Sequence, residues 1–120
     1  MDERNRVNPT RLDYDGPVKL YTIDHIPGAE LEALGMVEGS VVQSKHIGRD
    51  LMAGLKTIVG GEIVGYTEML TEARAIATAR MARQAEALGA DAVVNVRYSS
   101  SAIMESAAEV LAYGTAVRIK

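Results

Sequence analysis

The chain has 120 residues, 48% of them hydrophobic and 24% charged, with a formal net charge of −3, which is the balance of one ordinary globular domain and not of a nucleic-acid-binding surface. Cysteine is absent, which excludes disulfides, thiolate nucleophiles and thiolate metal sites. A charged start without the apolar stretch of a signal peptide, and no run near the ~18 apolar residues of a membrane span, lead us to expect a cytoplasmic protein with no membrane and no nucleic-acid partner.

Residues 1–17 set Arg4, Arg6 and Arg11 against Asp2, Glu3, Asp13 and Asp15, with Pro9 and Gly16-Pro17 as punctuation. Such a segment buries little apolar area, and it reads as an irregular N-terminal arm. A single domain is expected over residues 18–120. Val18 to Ile23 alternates with high β-propensity, and Pro27-Gly28 marks a turn before a second extended stretch over 32–45, with a bend or bulge expected at Glu38-Gly39.

From Arg49 the period changes. Leu51, Met52, Leu55, Ile58 and Val59 recur at helical spacing, and Gly60-Gly61 supplies a left-handed stop, so a short first helix is expected. Gly54 within it costs about 1 kcal/mol relative to Ala, which suits a point where another backbone packs closely. A second helix is expected over 67–88, where Leu70, Ala73, Ala77, Met81, Ala85 and Leu88 form one stripe and Gly89 ends it. Two strands follow, over 91–98 and 109–119, joined by a loop region opening with Ser99-Ser-Ser, as an antiparallel hairpin. The pattern is therefore α+β, with two helices packed on an antiparallel sheet in the order β-β-α-α-β-β.

In the final strand Leu111, Tyr113, Val117 and Ile119 point one way and Val110, Ala112, Gly114 and Ala116 the other, so both faces are largely apolar. Helices cover one face. The other calls for a second copy of the chain, hence a homo-oligomer, or for the N-terminal arm folded over it.

Four segments resemble the YbjQ-like family of small uncharacterised bacterial and archaeal proteins, described as "putative heavy-metal-binding". They are Ile47-Gly-Arg-Asp50, Ala53-Gly-Leu-Lys-Thr-Ile-Val-Gly-Gly-Glu62 with Tyr66, Leu88-Gly-Ala-Asp-Ala-Val-Val-Asn-Val96 and Ala112-Tyr-Gly-Thr-Ala-Val117. The resemblance covers residues 18–120 and leaves the arm outside. It implies a dodecin-like subunit that assembles into a ring, most often described as a pentamer, and a metal ion of unspecified identity as the possible cofactor. No activity comes with it.

His46 and Asp50, four apart, could share a helix face and ligate a metal, but His46 sits before the expected helix start and a surface or interface histidine is favoured. Asp24-His25 beside a turn is a weaker candidate. His46, Arg49 and the free N–H groups of a helix start also suit an anion, against the reading in which Arg49 and Asp50 make ion pairs to a neighbouring strand or subunit. Asn95 and Arg97 alternate with Val94, Val96 and Tyr98 and so are placed on one strand face, lining a channel or subunit interface in a ring, with interface hydrogen bonding favoured over a ligand site. Gly60-Gly61 lacks the spacing of a phosphate loop, and no Ser-His-Asp set, metal-hydrolase motif or carboxylate pair is legible. No catalytic residue and no dedicated metal ligand is assigned. The expectation is a non-catalytic homo-oligomeric binding or structural module that takes a heavy metal or small anion in a channel or intersubunit pocket, with a protein scaffold or a small enzyme with an intersubunit site as alternatives.

Overall fold

The computed structural model describes residues 14–44, 58–59, 62–104 and 107–120. In chain order these form β1 (Lys19–Leu20), β2 (Leu31–Ser44), β3 (Ile58–Val59), β4 (Glu62–Ile63), α1 (Val64–Ala87), β5 (Ala92–Met104) and β6 (Ala107–Ile119). Four strands make one sheet in the order β1-β5-β6-β2, while β3 and β4 pair only with each other.

This corrects the expected architecture. Among the described residues one helix, not two, packs on the sheet, and the sheet is mixed because β1 runs parallel to β5. Ile58 and Val59, read as the last turn of a first helix, are a strand antiparallel to Glu62–Ile63. The reason is local. In a sequence, two glycines after β-branched residues are compatible with a two-residue hairpin as well as a helix stop, and Ile and Val favour the strand. The remainder of that expected helix, Gly54 included, lies outside the described residues, as do positions 1–13 of the arm and Gly60-Gly61.

Helix α1 buries the small-residue stripe read from its sequence. Ala73, Ala77, Met81 and Ala85 are fully buried, in one core with Val37 and Val41 of β2, Val93 and Val96 of β5, and Val110, Ala112 and Ala116 of β6. Leu88 falls outside it, past the helix end and largely exposed. Gly89 closes the helix in the left-handed region at φ 77°, its N–H donating to the Glu86 carbonyl at 2.9 Å.

The bend expected at Gly39 is displaced. The irregularity in β2 lies between Ala33 and Gly35, where Gly35 takes φ 136°, and Gly39 is in regular register with Ala112. Gly39 serves helix packing instead, since a Cβ there would collide with the Ala77 carbonyl and the Met81 amide of α1. Strand β5 continues to Met104, so Ser99-Ser-Ser belongs to the strand and not to a loop.

Away from the helix the sheet is two surfaces in one. At its lower end Tyr21, Ile26 and Leu31 fold over Ala92, Val94 and Val117, forming a second small core. Above that, the register sets Glu38, Tyr113 and Arg97 in one transverse row and Ser40, Leu111 and Ser99 in the next such row on this face. The apolar residues read from β6 thus form a central ridge in which Leu111 and Tyr113 are half-buried, with polar Glu38, Ser40, Arg97 and Ser99 beside them and Met36 and Val42 exposed farther along β2. A single strand's pattern could not reveal its neighbours' polarity.

Candidate functional site

The site begins as a break in alternation along β5. Val93 and Val96 face α1, whereas Ala92 and Val94 face the second core, so the strand carries one extra residue between Val94 and Val96. The register with β6 shifts between Val94 and Arg97, and Asn95 adopts φ 58°, the one positive φ at a non-glycine position among the described residues. Asn tolerates that region better than most residues. The bulge is held from outside by the Asn95 N–H on the Ile23 carbonyl and the Val96 N–H on the Tyr21 carbonyl, each at 2.9 Å. It is held from inside by Gly114, where a Cβ would sit 2.7 Å from Val93 Cγ1 and 2.9 Å from the Val94 carbonyl oxygen.

Because of the extra residue, Arg97 emerges on the face away from the helix. Its Nη1 donates to the Thr22 carbonyl at 2.8 Å and the Val96 carbonyl at 2.9 Å, and its Nη2 approaches Asn95 Oδ1 at 3.4 Å. Asn95, Arg97, Met36, Tyr113, Gly114 and Thr115 line an open depression of about 310 Å³. Sequence reading reached Asn95 and Arg97 and placed them together. It missed Met36, Tyr113 and Thr115, which lie on other strands. The run Ala92-Val-Val-Asn-Val, with three apolar residues in succession before a polar one, was the available sign of a bulge.

A second cavity of about 90 Å³ lies on the helix side, lined by Leu70, Arg74, Tyr98, Ser99, Ser100 and Val110. Beside it the Thr78 and Tyr98 hydroxyls share a hydrogen bond of 2.7 Å.

The other candidates are dispersed or beyond description. His46, Arg49 and Asp50 lie outside the described residues. His25 Nδ1 meets Asp24 Oδ1 at 2.9 Å on the surface, a hydrogen bond that, with the electrostatic attraction of the ring beside it, holds the Asp24 carboxyl below its ordinary pKa. Tyr14 is the larger perturbation. Its hydroxyl donates to Glu86 Oε2 at 2.6 Å and accepts from the Val18 N–H at 3.0 Å, and burial followed by the Glu86 bond pushes its pKa up to about 12.

Among the described residues no three His, Asp or Glu side chains converge as a metal would require. Soft heavy metals favour thiolate or clustered imidazole, and the whole chain holds no cysteine and two histidines. The described residues therefore do not fit a heavy-metal centre, whereas the depression gathers a guanidinium, an amide, hydroxyls and a thioether. Also among the described residues, no helix is long and apolar enough to cross a membrane.

Comparison with known proteins places this geometry in a family. A family model described as "Putative heavy-metal-binding" matches residues 18–120. A UPF0145 protein of Vibrio parahaemolyticus is 63% identical over 99 residues, covering 82% of this chain and 94% of that protein. Its counterpart from Thermotoga maritima is 62% identical over 100 residues, at 82% and 94% coverage, and one from Clostridium novyi is 57% identical over 100 residues, at 83% and 97%. A crystal structure from Pediococcus pentosaceus, of a protein of unknown function in the DUF74 family, aligns with TM-score 0.58 at 15% identity over 86% of this chain and 98% of its own, a likeness of fold alone. With a model match across the whole span from Val18 to Lys120 and relatives near 60% identity over most of their length, the chain belongs to the YbjQ-like UPF0145 family.

Proposed function

We propose that the protein is a non-catalytic homo-oligomeric binding module of the cytoplasm, in which copies associate along the open end of the sheet and the bulge-built depression is the ligand site. One observation carries the assembly: the outer edge of β5 beyond Arg97. Among the described residues, strand β1 pairs with β5 only at Ala92 and Val93, and from Ser99 to Met104 the strand is bonded on one side, to β6. Tyr98, Ile103 and Met104 stand 46%, 51% and 62% exposed along it. Natural sheets cover or pair such an edge.

The opposite edge is treated differently. On β2 the Glu38 N–H donates to Gln84 Oε1 at 2.8 Å and the Ser40 carbonyl accepts from Arg80 Nη1 at 2.6 Å, so helix side chains cap its middle. A head-to-tail contact between the β5 edge and an unlike surface of the next copy closes into a ring, the form that the family resemblance suggests. The chemistry of the depression supports binding over catalysis, because among the described residues none of its lining side chains is an imidazole, thiol or carboxylate that could act as a base near neutral pH. Native mass spectrometry tests the reading. The expected result is a discrete multiple of the 12.9 kDa chain, five in the ring, with any retained ligand as added mass; a chain that stays monomeric at micromolar concentration contradicts it.

A further inference from the structure

We infer that the Asn95–Arg97 depression receives the oxyanion head, carboxylate or phosphate, of a small amphipathic molecule. The inference rests on the reading of this depression as a ligand site and names the ligand class that its chemistry recognises.

Among the described residues, Arg97 is anchored without being neutralised. Its Nη1 is committed to two backbone carbonyls, which fix the guanidinium plane, and carbonyls carry no charge to cancel it. Among the described residues no carboxylate comes within ion-pair distance of it. The bond from Nη2 to Asn95 Oδ1 is long at 3.4 Å, which leaves that nitrogen available to a stronger acceptor. With its Oδ1 turned to Arg97, the Asn95 amide has its N–H₂ group to offer, and hydroxyls of Tyr113 and Thr115 are in the same lining. The polar set is thus rich in donors and carries one fixed positive charge.

The rest of the lining speaks for the ligand's body. Met36 is 75% exposed, the most open of the large apolar side chains among the described residues, and stands in register with Thr115 at the depression's wall. A flexible thioether suits an apolar chain of no fixed shape. Glu38 lies across Tyr113 from Arg97, two strand spacings or about 10 Å away, so an anionic head is drawn to the Arg97 side of the sheet. A metal cation meets the opposite field, with a guanidinium at the centre of the site. The bulge is what makes this arrangement, since in regular register Arg97 would point into the helix-facing core.

The test uses the isotopically labelled full chain, titrated separately with inorganic phosphate, hexanoate and hexanol, following the Arg97 Nε–H and Asn95 side-chain amide signals by NMR. Saturable shifts at these two groups are expected with at least one of the anions and none with hexanol. Saturation by phosphate alone identifies a phosphate head, and by hexanoate alone a carboxylate on an apolar body. Arg97→Lys, which keeps the charge but loses the fork, should weaken binding about tenfold. Asn95→Gly, which keeps the left-handed backbone, should weaken it several-fold while leaving the melting temperature near that of the parent. Absence of saturable shifts with both anions, or unchanged affinity in the two folded variants, overturns the inference. Native mass spectra of the same samples separate the two claims: an oligomer without an anion response removes this inference and leaves the assembly, whereas a monomer that binds anions removes the assembly and leaves the site.

Discussion

Gly39 and Tyr14 show how single residues fix the position of α1. At Gly39 the obstacle to a side chain is backbone, the Ala77 carbonyl and the Met81 amide, and backbone cannot rotate aside as a side chain can. Gly39→Ala should therefore push the helix off the sheet and cost about 1–3 kcal/mol, measured by denaturant unfolding. Tyr14 ties the start of the described chain to the end of the helix through Glu86. Its pKa is raised from 10.0 to about 12, so the folded state holds the phenolic proton more tightly than the unfolded chain does. The resulting stability is complete below pH 10 and is lost as pH rises through 12. Tyr14→Phe should remove that alkaline loss. At neutral pH it should cost ~1–2 kcal/mol, because it leaves the Val18 N–H without its acceptor. Unfolding midpoints of both proteins across the alkaline range check both statements.

At the scale of elements, the two outer edges of the sheet divide protection unevenly. Arg80 and Gln84 reach from α1 to cap β2 at Ser40 and Glu38. Replacing both by Ala should expose a strand of 14 residues to strand addition, and light scattering of the double variant should show higher-order association that the parent lacks. This scale also separates what the sequence made legible from what it hid. The α1 stripe was legible because Ala73, Ala77, Met81 and Ala85 repeat at helical spacing, and the β5–β6 hairpin because two strand-like runs are joined by a short connection. The β3–β4 pair was hidden because Gly60-Gly61 fits a helix stop and a hairpin equally well. The parallel pairing of β1 was hidden because a two-residue strand takes its partner from the fold, not from its own pattern. Asn95 and Arg97 were found as polar breaks in an apolar strand, but their companions Met36, Tyr113 and Thr115 meet them only through register, which a linear reading does not supply.

For the whole molecule, the helix closes one face of the sheet, the segment from Tyr21 to Leu31 closes the lower end of the other, and the upper end holds both the depression and the open β5 edge. The proposed ligand site and the proposed assembly surface thus share one end of the sheet. Tyr98, Ile103 and Met104 are exposed along that edge, and the proposed neighbouring copy would cover them. The most direct test of this account is hydrogen–deuterium exchange, resolved by residue, along β5 in the assembled protein. In an antiparallel pair alternate amides point to the far side of the strand, so from Ser99 to Met104 those facing away from β6 report whether the edge is occupied. The account predicts slow exchange at these amides, comparable to that of their neighbours bonded to β6. Exchange there at the rate of an unprotected chain, with the inward amides still protected, would show a bare edge and contradict assembly through this part of the sheet.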